Sequence, residues 1–189
     1  MLVVLSAPSG TGKTSVCKKL LERNPKWTFS ISATTRPLRD GEVDGKDYIQ
    51  LSNEKFEHYV KFGDFLEWEW VHGNKYGTLI GPIEDALDDG GVMLLDIDVK
   101  GGLNVMDEFP DETIGIFIEP PGDDKPEQLE VLEERLSNRG NEPAKLIKNR
   151  LKRFAIEIEF KDDFEYQLIN DELIDTVKEI EKIIKESVK

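Results

Sequence analysis

The stretch "VVLSAPSGTGKTSV" (residues 3–16) decides the fold of this chain. It passes from a run of apolar residues through a glycine-containing loop into a helical pattern, which is the context that a phosphate-binding loop requires. Gly10 and Gly12 let backbone N–H groups turn toward a phosphate, and the following helix adds its positive N-terminal end. We therefore predict that a nucleotide's phosphates bind to Pro8, Ser9, Gly10, Thr11, Gly12, Lys13, Thr14 and Ser15.

Two side chains of this loop carry its chemistry. Lys13 is suited to supply a point charge for the β and γ phosphates, and the Thr14 hydroxyl is suited to bind Mg²⁺. Ala7 stands where the pattern G-x-x-x-x-G-K-[ST] has its first glycine. Because this position ends the predicted strand, an alanine with negative φ causes no strain there, and we expect a working loop.

Composition excludes several classes of protein. The 189 residues suit one domain, and a net charge of −14 argues against a general nucleic-acid surface. No apolar run approaches the roughly 20 residues that cross a bilayer, so we expect no membrane association. The N-terminal stretch "MLVVLS" lacks the basic flank and cleavage site of a signal peptide, and we expect a cytoplasmic protein. The single cysteine, Cys17, lies in an apolar-periodic stretch and is expected to be buried.

The order of elements predicts an α/β fold. The runs "LVVLS", "GVMLLDID" and "TIGIFIE" are apolar without strict alternation, as in strands buried on both faces of a parallel sheet. Helical patterns follow the first and third runs and precede the second. Residues 29–80 are aromatic and polar with closely spaced turns, which indicates an inserted β-rich lobe. The segment "NDELIDTVKEIEKIIKESVK" has the spacing of a packed terminal helix.

The inserted segment contains a second cluster of positive charge and a candidate base pocket. In "SISATTRPLRDGEVDGKDY" (residues 30–48), Arg36 and Arg39 are suited to clamp one phosphate, with Tyr48 as a further donor. In "GDFLEWEWVHGNKYGT" (residues 63–78), a carboxylate can accept from two adjacent N–H groups, a pair that guanine presents and adenine does not. Both Glu67 and Glu69 fit this role, because alternation along a strand puts them on one face.

At this point the chain resembles the guanylate kinase family. The motifs "SAPSGTGKTS", "SISATTRPLRDGEVDGKDY", "FLEWEWVHGNKYGT", "LLDIDVKG", "FIEPP", "RLSNRG" and "LINDEL" occur in the family's order over nearly the whole chain. The resemblance implies the fold of a P-loop nucleoside monophosphate kinase, a parallel sheet core flanked by helices. It implies a single domain made of a core (residues 1–33, 81–119 and 156–189), a small β-rich GMP-binding lobe (about 34–80) and a helical lid (about 120–155).

The resemblance also implies an activity and a set of residues. The activity is reversible, ATP- and Mg²⁺-dependent phosphorylation of GMP, and of dGMP, to the diphosphate. Glu67 is favoured over Glu69 for the guanine edge. The GMP-binding positions are Ser32, Arg36, Arg39, Tyr48, Glu67, Tyr76, Thr78, Asp96 and Asp98. Lys13, Arg36, Arg139 and Arg150 are implied as catalytic, and Arg135 and Asn170 as ATP-binding. Which of Asp96 and Asp98 meets guanine and which holds magnesium waters stays open, as does a homo-oligomeric state.

Two other functions compete with this interpretation. A catalytically inactive interaction domain of the same fold would have a degraded phosphate loop, which Lys13 and Thr14 oppose. A kinase of a phosphorylated sugar would have no use for Glu67 with Ser32 and Thr78, since a sugar presents no guanine edge. His58 and His72 do not suggest a metal pair. The segment between "EPP" and "EERL" is longer than is usual in the family, which leaves the register of the lid less secure.

Overall fold

The computed structural model describes residues 1–71, 73–138 and 144–187, except the side chain of Val71. In chain order its strands are β1 (Leu2–Ser6), β2 (Thr28–Phe29), β3 (Ala33–Thr34), β4 (Ile49–Gln50), β5 (Phe65–Val71), β6 (Asn74–Leu79), β7 (Met93–Asp96), β8 (Thr113–Glu119) and β9 (Tyr166–Ile169). Its helices are α1 (Lys13–Arg23), α2 (Asn53–Phe62), α3 (Ile80–Asp88), α4 (Val99–Glu108), α5 (Lys125–Ser137), α6 (Ala144–Glu157) and α7 (Leu173–Ser187). A 3₁₀ segment, Ile158–Asp163, follows α6.

The core is a five-stranded parallel sheet in the order β2-β7-β1-β8-β9. The three apolar runs in the sequence form its central strands β7, β1 and β8, which confirms the predicted α/β class. Every residue of β1 is buried, because helices cover both faces of the sheet. Side chains that alternate along β1 therefore enter two separate hydrophobic clusters.

Helices α1 and α7 cover one face of this sheet. Val16 and Leu20 of α1 pack with Val177 and Ile180 of α7, and all four side chains are fully buried. The terminal helix is packed as its periodicity predicted, although Ile174 is exposed. The opposite face is covered by α3 to α6 through residues such as Ile83, Val105, Leu132 and Phe154. The structure is thus a three-layer sandwich with the phosphate loop at the carboxyl edge of the sheet.

A second sheet, in the order β4-β3-β6-β5, forms the inserted segment. Strand β3 pairs parallel to β4 and antiparallel to β6, and β5 is antiparallel to β6. The sequence analysis did not predict that this segment also contains a helix, α2. Ser52 caps α2 by accepting from the Lys55 N–H at 3.2 Å, and Gly63 ends it with a φ of 74°. Phe56 is the buried residue of α2 that packs against this sheet.

None of the helices in the described part of the chain is long and apolar enough to cross a membrane.

Candidate active site

The predicted phosphate loop lies between the end of β1 and the start of α1. Gly10 and Gly12 adopt φ values of 98° and 101°, the left-handed region that favours glycine. Both the N–H and the hydroxyl of Thr11 donate to the Pro8 carbonyl, at 3.2 and 2.8 Å. Ala7 packs against the hydrophobic cluster between the sheet and α1. The methyl group that replaces the usual glycine hydrogen is therefore accommodated by the core.

Lys13 and Thr14, at the start of α1, both contact the aspartate that ends β7. Lys13 Nζ lies 2.9 Å from Asp96 Oδ1 and also donates to the Ile97 carbonyl. The Thr14 hydroxyl donates to Asp96 Oδ2 at 3.2 Å. The parallel register places Asp96 opposite Leu5, next to the start of the loop. A hydroxyl and a carboxylate side by side are hard oxygen ligands, so this pair fits a magnesium ion.

The outer side of the loop is held by side chains from two distant elements. The Thr11 carbonyl accepts from Asn170 Nδ2 at 2.6 Å and from Arg135 Nη1 at 3.2 Å. Arg135 also donates to the Asn170 carbonyl at 3.0 Å. A Cβ on Gly12 would lie 2.6 Å from Asn170 Nδ2, so this approach requires glycine. The two residues that the resemblance implies for ATP thus lie against the phosphate loop.

The predicted arginine cluster is assembled around Arg36. Its Nε donates to the Tyr76 hydroxyl at 3.0 Å, and its guanidinium carbon lies 5.1 Å from the centre of the Tyr48 ring. The rings of Tyr48 and Tyr76 meet edge to face, with 6.0 Å between their centroids. Arg39 is exposed at the edge of this cluster. The structure therefore brings Arg36, Tyr48 and Tyr76 together in one cluster.

Glu42 belongs to this cluster, although the sequence analysis did not identify it. Arg36 Nη2 lies 2.9 Å from both of its carboxylate oxygens, and the backbone N–H of Arg39 donates to it at 2.7 Å. The Arg39 N–H and the Arg36 guanidinium hold the pKa of Glu42 below its ordinary value. Glu42 lies three residues after Arg39, and its N–H donates to the Arg39 carbonyl to close a turn. This position in a turn was the available sequence signal for the contact.

We expect Glu42→Ala to raise the KM for a phosphate-bearing acceptor by about tenfold, since Arg36 and the Arg39 backbone lose a shared acceptor. The side chains of Arg36 and Glu42 are only 12% and 19% exposed, so solvent weakens this pair less than a surface pair. Steady-state kinetics with GMP measures the effect, and Glu42→Gln, which keeps an acceptor oxygen, is the matched control. Tighter GMP binding in Glu42→Ala would contradict this prediction, because Glu42 would then compete with the phosphate.

The candidate base pocket is built on the antiparallel pair β5 and β6. Glu67 and Thr78 are register partners, and the Thr78 hydroxyl donates to Glu67 Oε1 at 2.6 Å. Ser32 immediately precedes β3, whose Ala33 pairs with Gly77, so Ser32 lies across from Thr78. Burial raises the pKa of Glu67, while the Thr78 bond opposes this rise and nearby acids add to it. The pocket therefore combines the half-buried carboxylate of Glu67 with the buried hydroxyl of Thr78.

Glu69 shares the face of β5 with Glu67 but meets different groups. Its side chain lies within hydrogen-bonding reach of the Asp98 carboxyl, near Lys100 and Arg153, and burial raises its pKa. Asp98 caps α4 by accepting from the Gly101 N–H at 2.9 Å. The structure thus separates the two aspartates of "LLDID": Asp96 faces the phosphate loop, and Asp98 faces the base-pocket side. Spacing alone left this division open.

Some of the remaining predicted residues lie in the described part of the chain, and others lie outside it. Arg150 lies on α6 and is half-buried, whereas Arg139 lies outside the described residues. His72 is likewise outside them, and His58 packs on Phe62 with 4.3 Å between ring centroids. In the described part of the chain, no group of three or more potential metal-binding side chains is found. Cys17 is buried as expected, and burial raises the pKa of its thiol.

Comparison with known proteins decides the family. The family model described as guanylate kinase matches residues 1–187. The guanylate kinase of Chlorobium luteolum is 46% identical over 179 residues, which are 95% of this chain and 88% of the relative. The chain belongs to the guanylate kinase family. The guanylate kinase of Gloeobacter violaceus is 42% identical over 187 residues, or 99% of this chain and 88% of the relative.

Solved structures agree with this membership of the guanylate kinase family. The crystal structure of guanylate kinase from Anaplasma phagocytophilum superposes with a TM-score of 0.77 at 33% sequence identity. The match covers 100% of this chain and 87% of that one. The family resemblance inferred from the motifs is therefore confirmed over the whole chain.

Proposed function

We propose that this member of the guanylate kinase family transfers the γ-phosphoryl group of ATP to GMP, and to dGMP, forming ADP and the nucleoside diphosphate reversibly. One observation carries the proposal. A phosphate loop with Lys13, a second cationic cluster around Arg36, and the paired Glu67 and Thr78 occur in a single chain. Two phosphate-binding centres suit a donor and an acceptor that both carry phosphate.

The reaction requires little covalent help from the protein. A phosphate oxygen of GMP attacks the γ-phosphorus of ATP, and the bond to the ADP oxygen breaks. GMP phosphate is largely ionised at neutral pH, so no general base is needed. The chain's residues position the groups and neutralise charge: Lys13 on the donor side, Arg36 and Arg39 on the acceptor phosphate, and Arg139 and Arg150 near the transferred group. Arg135 and Asn170 support ATP binding by holding the loop.

Base selection rests on Glu67, with Ser32 and Thr78 at the opposite edge of guanine. A half-buried carboxylate accepts well from two adjacent N–H donors, and adenine leaves it unpaired. Asp98 is assigned to the GMP side, because it caps α4 near Glu69. Tyr48 and Tyr76 are assigned to the binding of the acceptor phosphate. Mg²⁺ is the proposed cofactor, and Thr14 and Asp96 would hold it together with ATP. When bound, it neutralises charge on the phosphates.

We further assign residues 34–80, which contain all of the second sheet except Ala33, to a GMP-binding lobe, and residues 120–155 to a lid that excludes water during transfer. The remaining residues form the core of one domain. A cytoplasmic location fits a reaction between two nucleotides. We propose ATP and GMP as the binding partners, and we expect no nucleic acid to bind. A homo-oligomer is compatible with this proposal.

The test is a coupled assay of ADP formation from ATP and Mg²⁺ with GMP, dGMP, AMP, UMP or CMP as acceptor. We expect turnover with GMP and dGMP and at least about a hundredfold lower kcat/KM with the other acceptors, because only guanine offers two adjacent N–H donors to the Glu67 carboxylate. A folded protein that binds GMP without turning it over would favour the inactive interaction domain instead.

A further inference from the structure

A buried hydroxyl, that of Thr34, joins the two backbone segments that carry Arg36 and Tyr76. Thr34 ends β3, is fully buried, and has Tyr76 of β6 as its register partner. Its Oγ1 donates to the Lys75 carbonyl at 3.0 Å and accepts from the Arg36 N–H at 3.1 Å. The Lys75 carbonyl belongs to the peptide bond that leads into Tyr76. None of the roles assigned above uses this hydroxyl.

The Thr34 hydroxyl holds the backbone at Arg36, beyond the end of the strand. Strand β3 has only two residues and stops at Thr34, so its pairing with β4 and β6 does not extend to Arg36. Pro37 follows and restricts Arg36 to extended conformations, but it has no N–H with which to hold the chain. A threonine hydroxyl that accepts from the N–H two residues later forms a local turn. The direction of the backbone at Arg36 therefore depends on Thr34.

Lys75, on the other side of this bridge, is a fixed anchor. Its N–H donates to the Thr35 hydroxyl at 2.9 Å, and its carbonyl also accepts from the Thr35 N–H at 3.0 Å. Its side chain is 5% exposed and forms an ion pair with Glu57 of α2. Because Lys75 is held at its N–H, its carbonyl and its side chain, the Thr34 hydroxyl ties Arg36 to a rigid part of the second sheet.

The side chains of Arg36 and Tyr76 meet above this backbone bridge. Arg36 Nε donates to the Tyr76 hydroxyl, and the guanidinium lies against the Tyr48 ring. The two residues are thus joined twice, once directly through their side chains and once through Thr34 and the Lys75 carbonyl. Displacement of a positioning group by about 1 Å can cost about a hundredfold in rate, so the backbone contact bears on catalysis.

We propose that Thr34 is a positioning residue for the acceptor phosphate, because its hydroxyl fixes Arg36 relative to Tyr76. Thr34 is fully buried, so it acts through Arg36 and not on the substrate itself. Glu67 and Thr78, which are assigned to the base, are bonded to each other across β5 and β6. The hydroxyl should therefore affect binding of the phosphate and leave binding of the base unchanged. This inference rests on the GMP binding that the proposed function includes.

The test is calorimetry without ATP, which compares the binding of GMP with that of guanosine, a ligand that lacks only the phosphate. Thr34→Val keeps the branched shape of the side chain and removes the hydroxyl. We expect it to weaken GMP binding by about tenfold and to change guanosine binding by less than twofold. Thr34→Ser keeps the hydroxyl and should bind both ligands within about threefold of the wild type.

The absence of ATP separates this inference from the proposed reaction. A wild type that binds GMP but transfers no phosphate would refute the reaction and leave the role of Thr34 standing. A wild type that binds neither GMP nor guanosine would overturn both. Wild-type GMP affinity in Thr34→Val would overturn the role of Thr34 alone.

The matched control is Thr176→Val. Thr176 is 3% exposed, and its hydroxyl donates to the Ile169 and Glu172 carbonyls at 3.3 and 3.2 Å. The same substitution therefore removes a bonded, buried hydroxyl from the terminal helix α7 instead of from the second sheet. Its affinities for GMP and guanosine should equal those of the wild type, even where its Tm is lowered.

Two further results would contradict the assignment. An equal loss of GMP and guanosine affinity in Thr34→Val would show a merely structural role, and a Thr34→Ser variant as weak as Thr34→Val would exclude the hydroxyl as the cause. Thr34→Ala removes the same hydroxyl without placing a methyl group beside the Lys75 carbonyl, so it replaces the valine variant if that variant does not fold. Failure of both variants to fold would assign the hydroxyl to stability and overturn the proposal.

A double substitution tests the connection through Arg36. Because Thr34 acts through Arg36, Thr34→Val should cause less than about a twofold further loss of GMP affinity in an Arg36→Ala background. The single and double variants are compared by the same calorimetric titration. Fully additive losses would show that Thr34 acts on GMP binding by another route.

Discussion

Replacing Lys13 with alanine is expected to lower kcat with saturating ATP and GMP by about a thousandfold. The reason is that the transition state would lose one preorganised positive charge beside the transferred group. Lys13 begins α1, and its Nζ lies between Asp96 and the Ile97 carbonyl, directly after the loop in which Gly10 and Gly12 have positive φ. The substitution also leaves Asp96 without its cation, close to where the phosphates bind. Coupled detection of ADP measures the loss.

Lys18→Ala is the control for this substitution. Lys18 is exposed on the same helix, away from the loop, and its removal alters the net charge equally. Its kcat should equal that of the wild type. If Lys13→Ala kept more than about a tenth of the activity, Lys13 would not supply the charge that the transfer requires.

Replacing Glu67 with glutamine is expected to lower kcat/KM for GMP by about a thousandfold, because the site would lose one of two acceptors and gain a donor facing guanine. Thr78 remains to hold the side chain, so the fold should survive. The measurement is steady-state kinetics with GMP and AMP, and the ratio of the two kcat/KM values should approach one. Loss of both activities with a lowered Tm would contradict a role in base selection.

Glu69→Gln is the matched control for base selection. Glu69 lies two residues further along β5 and on the same face, but its side chain meets Asp98 rather than Thr78. Its substitution should reduce kcat/KM for GMP by less than about tenfold, because no bond to the base is lost. A larger loss in Glu69→Gln than in Glu67→Gln would reverse the assignment of the two carboxylates.

The pH dependence of GMP binding follows from the direction of the Glu67 pKa shift. Burial raises this pKa, and the neighbouring Asp98 and Glu69 raise it further. Only the charged carboxylate accepts from two N–H donors, so GMP affinity should fall as pH drops toward the raised pKa of Glu67. Calorimetric titration of GMP across the acidic range measures this effect, and Glu67→Gln should remove the part due to Glu67. An unchanged acidic limb in that variant would contradict this role of Glu67.

Much of the fold was predictable because its signals are local. The three apolar runs predicted β1, β7 and β8, since strands covered on both faces need no polar alternation. Helix α2 was missed because the aromatic and turn residues around it dominate the pattern of the inserted segment. Its cap at Ser52 and its end at Gly63 were the available signals.

The candidate site was predictable only in part. Arg36 and Tyr76 were identified from their motifs, and the structure joins them by a hydrogen bond across 40 residues of sequence. Glu42 was overlooked because a carboxylate three residues after Arg39 resembles an ordinary solvated turn until its contacts are known.

The sequence by itself determined the strand–loop–helix unit, because the backbone freedom of Gly10 and Gly12 and the burial pattern of β1 and α1 are properties of neighbouring residues. Only the tertiary structure decided which groups each acid contacts. Asp96 contacts Lys13 and Thr14, whereas Asp98 lies beside Glu69. Glu67 accepts a hydrogen bond from Thr78. The physical reason is that strand register and helix packing bring distant charges within a few ångströms, where electrostatic interactions become strong, and spacing along the chain does not encode those distances.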